Sequence, residues 1–214
     1  MKAFSNDINR LFMVPLLVVG LTVDIFFLID GQYLFGTQFA AYQSDIALYV
    51  AMDALLIGVI GKTPEIQISF MDAMIYFTPT FIVTSIVIGE WYSVYYAGAT
   101  PTFTFQSYLA QILYQIFGVA LSEELLFRGL LIKYTGWVGQ GILFGLFHLE
   151  AYNVEGFTWT TIFVAMIFGI FMGYIVHIAT KMGYPAKGLA VTWGFHAAYN
   201  VSIILNVFNL GAVI

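Results

Sequence analysis

Long apolar runs separated by brief polar interruptions fill this chain, at roughly 11–29, 46–61, 73–89, 106–134, 138–150, 160–180 and 187–208. They lack the period-two alternation of barrel strands, and without a closed barrel only helices satisfy the backbone inside lipid. A bilayer helix takes roughly 20 apolar residues. The pattern therefore predicts an all-α, polytopic transmembrane helix bundle of about seven spans. The second and fifth runs are short, so those helices are expected to begin or end below the bilayer surface. One integrated membrane domain is expected, with spans one to three in 1–105 and spans four to seven in 106–214.

Composition strengthens this picture. Of 214 residues, 61% are hydrophobic and 9% charged, against about 25% charged in a soluble domain. The net charge of -5 comes from scattered acids, and no basic run offers a footprint for nucleic acid, which is not expected as a partner. With no cysteine, a thiolate nucleophile, disulfides and Cys-ligated metal are excluded. Lys2 and Arg10 ahead of an apolar run resemble a signal peptide, but the run is too long and has no small-residue cleavage site, so a retained first span is expected.

The basic residues test the span count, because cytoplasmic loops collect Lys and Arg. Lys2 and Arg10 precede span one, Lys62 follows span two, Arg128 and Lys133 close span four, and Lys181 and Lys187 separate spans six and seven. All fall on one side of a seven-span chain. The other side holds Asp30, Asp45, Glu90 and Glu155, with Trp91, Tyr92, Tyr95 and Tyr96 placed for an aromatic belt. A multi-pass protein of the cell membrane follows, with its N-terminus cytoplasmic and its C-terminus outside.

Ionisable residues within spans are costly and call for a reason. Three clusters need one: Ser122-Glu123-Glu124-Leu125-Leu126-Phe127-Arg128, Phe144-Gly145-Leu146-Phe147-His148, and His196-Ala197-Ala198-Tyr199-Asn200. Counted from Lys133, Trp137 and Lys187, Glu123, His148 and His196 all sit roughly 14–17 Å from the inner helix ends, in one layer. Glu124 and Arg128 share a helical face and can pair, as can His196 and Asn200 present donors together. Glu123 points about 100° away from Glu124, which leaves it free for a different task.

In this order, Glu-Glu-x-x-x-Arg, Phe-x-x-x-His and His-x-x-x-Asn resemble the signature of the CPBP intramembrane protease family. That family includes the type II CAAX prenyl endopeptidases and bacteriocin-processing, abortive-infection-like relatives. The resemblance covers roughly 106–208 and extends to Gly129 after the arginine. It implies that Glu123 and His148 activate a water, that His196 and Asn200 hold the tetrahedral oxyanion, and that Glu124 with Arg128 braces the site. The implied substrate is a peptide or membrane-protein segment, CAAX-type or leader-like, cut near the cytoplasmic half of the bilayer. Physical chemistry allows these roles: a poorly solvated carboxylate can move protons near neutral pH, and donors aimed at an oxyanion gain strength where water is scarce. Glu123, His148 and His196 could instead ligate zinc, but no cofactor is required and the metal-free route is preferred.

Gly-x-Ser-x-Gly and His-Glu-x-x-His motifs are absent. A paired-aspartate site needs two acids at one depth, and only Asp53 reads as plainly mid-span. Each site residue also has a bland role: Glu124 and Arg128 as a helix-stabilising pair, Glu123 as a wet helix end, His148 as a satisfied interior histidine, His196 and Asn200 as interhelical contacts. Asp24, Asp53, Asp72 and His177 are left unassigned, Glu150 is not expected to steer His148, and Pro15 and Pro79 are expected to kink helices. Two rival functions remain at this stage, a proton-coupled transporter and a non-catalytic scaffold or immunity protein of the same fold.

Overall fold

The computed structural model describes residues 2–30, 39–60, 62–63, 66–95, 105–149 and 159–207, and all elements among them are helical. Glu150, Glu155 and Tyr96 lie outside the described residues, and the side chains of Lys2, Arg10, Asp45, Glu90, Trp91, Tyr92 and Tyr95 lie outside them too. Helix α1 is Lys2–Asp30 and α2 is Phe39–Ile60. The second helix is thus longer than its apolar run, because its first turns hold polar residues such as Gln43 and Ser44. Three consecutive pieces make α3: Phe70–Asp72, Ala73–Phe77 and Thr78–Tyr95. A continuous path from Phe105 to Phe147 carries α4 (105–135) and α5 (137–147), joined at Gly136. Trp159–Lys181 is α6 and Pro185–Val207 is α7.

Among the described residues, Phe12–Asp30, Phe70–Ile88 and Ile162–Lys181 are long and apolar enough to cross a bilayer, and Ile46–Ile60 is a shorter apolar helix. Their outward faces carry Phe26, Ile29, Ile82, Ile86, Phe163, Ile167 and Phe171, all exposed. A soluble protein rarely leaves so much contiguous apolar surface uncovered, whereas lipid covers it without cost.

Helix α4 is the centre of the bundle, packed by α1, α2, α5, α6 and α7. Two stretches of it, Tyr114–Ala120 and Glu124–Leu131, are wound as wide π-type turns, which often mark functional sites. The Ile116 carbonyl, at the first of them, accepts both the Leu121 N–H and the Trp193 indole N–H at 2.9 Å, fastening α7 to α4. A third wide turn, Ala73–Phe77, comes just before Pro79, which has no N–H to give to a regular helix. Asp72 proves to be a capping residue. Its carboxylate takes the Ser69 backbone N–H while Ser69 Oγ accepts the Asp72 N–H at 3.0 Å, a reciprocal cap that starts α3.

At Gly136 the backbone adopts φ 69°, ψ 175°, and the chain doubles back. Phe144 and Phe147 of α5 meet Phe127 of α4 edge-on, with centroids 5.3 and 5.6 Å apart. Helix α5 then beds on α6 through glycines. A methyl added at Gly141 or Gly145 would strike Ile170 or Met166, and one at Gly173 would strike Gln140. These close approaches are the small-x-x-x-small packing of helices in membranes. Gln140 locks the pair by donating to the Gly169 carbonyl at 2.6 Å. At the start of α7, Lys187 lies over the rings of Tyr184 and Tyr76, at 4.2 and 5.5 Å, so α3 and α7 begin at the same end of the bundle.

An L-residue at position 136 would be forced into a backbone region only glycine occupies freely, though its side chain would meet nothing within 4 Å. Gly136→Ala should therefore lower stability by about 1–3 kcal/mol through backbone strain alone. Thermal unfolding in detergent checks this; an unchanged midpoint would show that the turn is not held at positive φ.

Candidate active site

Each functional side chain is delivered by an element already fixed in the bundle. Glu123 and Glu124 stand at the junction of a regular turn and a wide turn in α4. Both are buried, with Arg128 one turn further along and equally buried. Arg128, which the sequence counts among the basic residues closing span four and also pairs with Glu124, lies in the core. Its Nη1 is 3.2 Å from Glu124 Oε1, in contact as an ion pair rather than as an aligned hydrogen bond. The guanidinium also lies over the Phe144 ring, 4.1 Å from its centroid. A planar, weakly hydrated cation suits both neighbours.

His196, from α7, stands between the two acids. Its Nδ1 is 3.0 Å from Glu124 Oε1, and its Nε2 is 3.6 Å from Glu123 Oε2. The first is a hydrogen bond, which fixes the ring. The second is too long for one and falls in the range a water can bridge. Glu123 Oε1 accepts the hydroxyl of Tyr49 from α2. Tyr49 in turn meets Phe147 edge-on at 6.4 Å. The two adjacent acids thus differ as their helical directions require: Glu124 faces the arginine, Glu123 a phenol and an imidazole.

His148 and Asn200 come from α5 and α7. The His148 ring is half-buried at the end of α5, its Nδ1 2.8 Å from the Phe144 carbonyl oxygen. Phe144 touches both imidazoles, with centroids 4.7 Å from His148 and 5.7 Å from His196. One aromatic ring is thus shared by the two histidines. Asn200 Nδ2 donates to Gln115 Oε1 at 3.0 Å, one turn beyond His196. A zinc site would draw on Glu123, His148 and His196, but among the described residues no three His, Cys, Asp or Glu side chains are gathered as metal ligands.

The sequence marks Phe144 only as a motif position, yet its ring carries Arg128 and packs against both histidines. Tyr49 and Gln115 were missed altogether. Both are ordinary polar residues in apolar helices, and only three-dimensional contact distinguishes them. Asp24, read as membrane-adjacent, is fully buried, as is Asp53. His177 stands near Trp137 (6.4 Å) at the other end of α5.

Residues 104–202, which hold α4 to α7 nearly complete, match the family described as type II CAAX prenyl endopeptidase Rce1-like. This part of the chain is similar to the Rce1-like family. The match bears out the resemblance carried by the three motifs, and the apolar helices long enough to cross a bilayer agree with a membrane protein. No curated protein and no solved structure matches the chain. The Rce1-like segment contains every motif residue, whereas Tyr49, Asp24 and Asp53 come from helices ahead of it.

Removing Arg128 would leave Glu124 buried without its countercharge. Arg128→Ala should cost about 3–5 kcal/mol of stability. Arg128→Lys should recover only part of it, since an ammonium cannot reproduce the planar stack on Phe144. Chemical or thermal unfolding of the two variants beside wild type tests this; full recovery by lysine would show that charge alone matters.

Proposed function

We propose that this protein is an intramembrane endopeptidase in which Glu123 activates a water to hydrolyse a peptide bond. The observation that carries the proposal is the burial of Glu123 between two polar hydrogen-bonding groups, the Tyr49 hydroxyl and the outer nitrogen of His196, in the middle of an Rce1-like segment. Arg128 pairs with the neighbouring Glu124 and not with Glu123, which leaves Glu123 facing the two groups between which a water can stand.

In the proposed reaction a water between Glu123 and His196 gives a proton to Glu123 as its oxygen attacks the carbonyl carbon. The carbonyl becomes a tetrahedral oxyanion. Donors on α7, from His196 and Asn200, stabilise that charge, each strengthened by the poorly solvated surroundings. Collapse of the intermediate breaks the C–N bond, and the proton on Glu123 passes to the departing amine. Glu124 takes no part in proton movement; with Arg128 it holds His196 in place. His148 lines the approach, its Nδ1 turned to the Phe144 carbonyl. A tautomer with Nδ1 protonated fits that contact.

The same proposal includes about seven spans, a cytoplasmic N-terminus and cleavage toward the cytoplasmic half of the bilayer. The support is the one-sided placement of Lys62, Lys133, Lys181 and Lys187, all in or beside connections. Prenylated CAAX-type peptides are the first substrates to test, with leader peptides and membrane-protein segments next.

Purified protein should cleave a member of such a peptide set. Glu123→Gln should lower kcat/KM by about 10²–10⁴-fold. Tyr49→Phe, which deletes one hydrogen bond to the carboxylate, should lower it by about tenfold. A chelator should leave turnover unchanged. Undiminished turnover by Glu123→Gln would end the glutamate mechanism, and loss with chelator alone would move the reaction onto a metal.

A further inference from the structure

A second group of acids occupies the same core, and the reaction above gives it no role. Asp24 on α1 and Asp53 on α2 are both fully buried where α1, α2 and α4 pack together. The two helices meet closely here, for Gly20 of α1, one turn before Asp24, packs against Asp53 Oδ2. Ser122, the residue before Glu123, donates its hydroxyl to Asp53 Oδ1. Asp53 Oδ2 and both carboxylate oxygens of Asp24 are left buried with no hydrogen-bond partner.

Glycines make the room for these oxygens. A methyl at Gly118 would run into Asp24 Oδ1. One at Gly20 would come within 2.8 Å of Asp53 Oδ2 and 2.5 Å of the Phe117 carbonyl oxygen. Gly20 lies one turn from Asp24 on α1, and Gly118 one turn from Ser122 on α4, so each helix presents a glycine and an oxygen donor on one face. The result is a cradle lined by carboxylate, hydroxyl and carbonyl oxygens.

Charge decides what such a cradle can hold. Four buried carboxylates, Asp24, Asp53, Glu123 and Glu124, share the described core with Arg128, whose guanidinium is already engaged by Glu124 and Phe144. Two ionised aspartates in one poorly solvated interior demand compensation. A shared proton joins two oxygens and leaves the third without a partner. A hard cation satisfies all three at once and prefers oxygen donors throughout. We propose that Asp24 and Asp53, with the Ser122 hydroxyl and the Phe117 carbonyl, bind one hard cation of the sodium or calcium type. This site is separate from Glu123 and His196 and does not depend on the peptidase proposal.

The test is thermal unfolding of the detergent-purified full chain at constant ionic strength in sodium chloride, calcium chloride, or the chloride of the bulky cation N-methyl-D-glucamine. Wild type should show a Tm that rises and saturates with sodium or calcium over the bulky control, as a ligand of the folded state requires. Asp24→Asn and Asp53→Asn should lose that rise, and Glu123→Gln should keep it. Equal Tm in all three salts, or a rise that survives both Asp variants, would overturn the site. Should the Asn variants not fold, equilibrium binding of radioactive sodium or calcium to wild type decides: about one bound ion per chain supports the site, and none overturns it. A carboxylic-acid infrared band in wild type that persists in saturating sodium and calcium would assign the pair to a shared proton and overturn it as well. None of these readouts uses peptide cleavage, so the cation site and the peptidase proposal can fail separately.

Discussion

The contact between Glu124, Arg128 and His196 is the constraint around which the rest of the molecule is arranged. A guanidinium and a carboxylate removed from water cost several kcal/mol each unless their partners are close and correctly shaped. Lipid on the outer faces of the bundle offers no relief. The partners must therefore come from inside, and they come from three helices: Glu124 and Arg128 from α4, the Phe144 ring from α5, and His196 from α7. The tight helix packing elsewhere serves this requirement. Glycine contacts draw α5 onto α6, and the Trp193 indole ties α7 to the centre of α4.

That bracing separates two neighbouring acids into different environments. Glu124 spends its carboxylate on arginine and imidazole, and Glu123 is left with a phenol hydroxyl on one oxygen and a longer approach to His196 on the other. The division has a local cause. Consecutive residues on a helix point about 100° apart, so one acid can meet the structural partners only if the next looks elsewhere. The wide turns on either side of the pair adjust the same helix so that both directions are filled.

Much of this was legible in the sequence because lipid makes polar residues conspicuous. Apolar runs located the helices, and the ordered motifs placed Glu123, Glu124, Arg128 and His196 together before any coordinates. The i, i+4 spacing gave the Glu124–Arg128 pair outright. The limits were equally physical. Basic residues were counted as loop charges, and Arg128 breaks that rule because its countercharge lies one turn away in the core. The start of α2 was missed because polar residues at a helix end weaken the apolar signal without weakening the helix. Tyr49, Gln115 and the partnership of Asp24 with Asp53 depend on which faces of α1, α2 and α4 meet, and no local pattern encodes that. Phe144 is a motif position in the sequence, but its use as a face for a cation shows only in three dimensions.

The reversal at Gly136 has one more implication. Most helical hairpins are joined by loops, whose length can drift while the helices keep their places. Here a single residue with an unusual dihedral pair links the arm bearing both glutamates to the arm bearing His148. The spacing between acid and imidazole is thus set by torsion at one α-carbon, and an insertion at that joint would alter the pairing of every ring and charge between the two arms together.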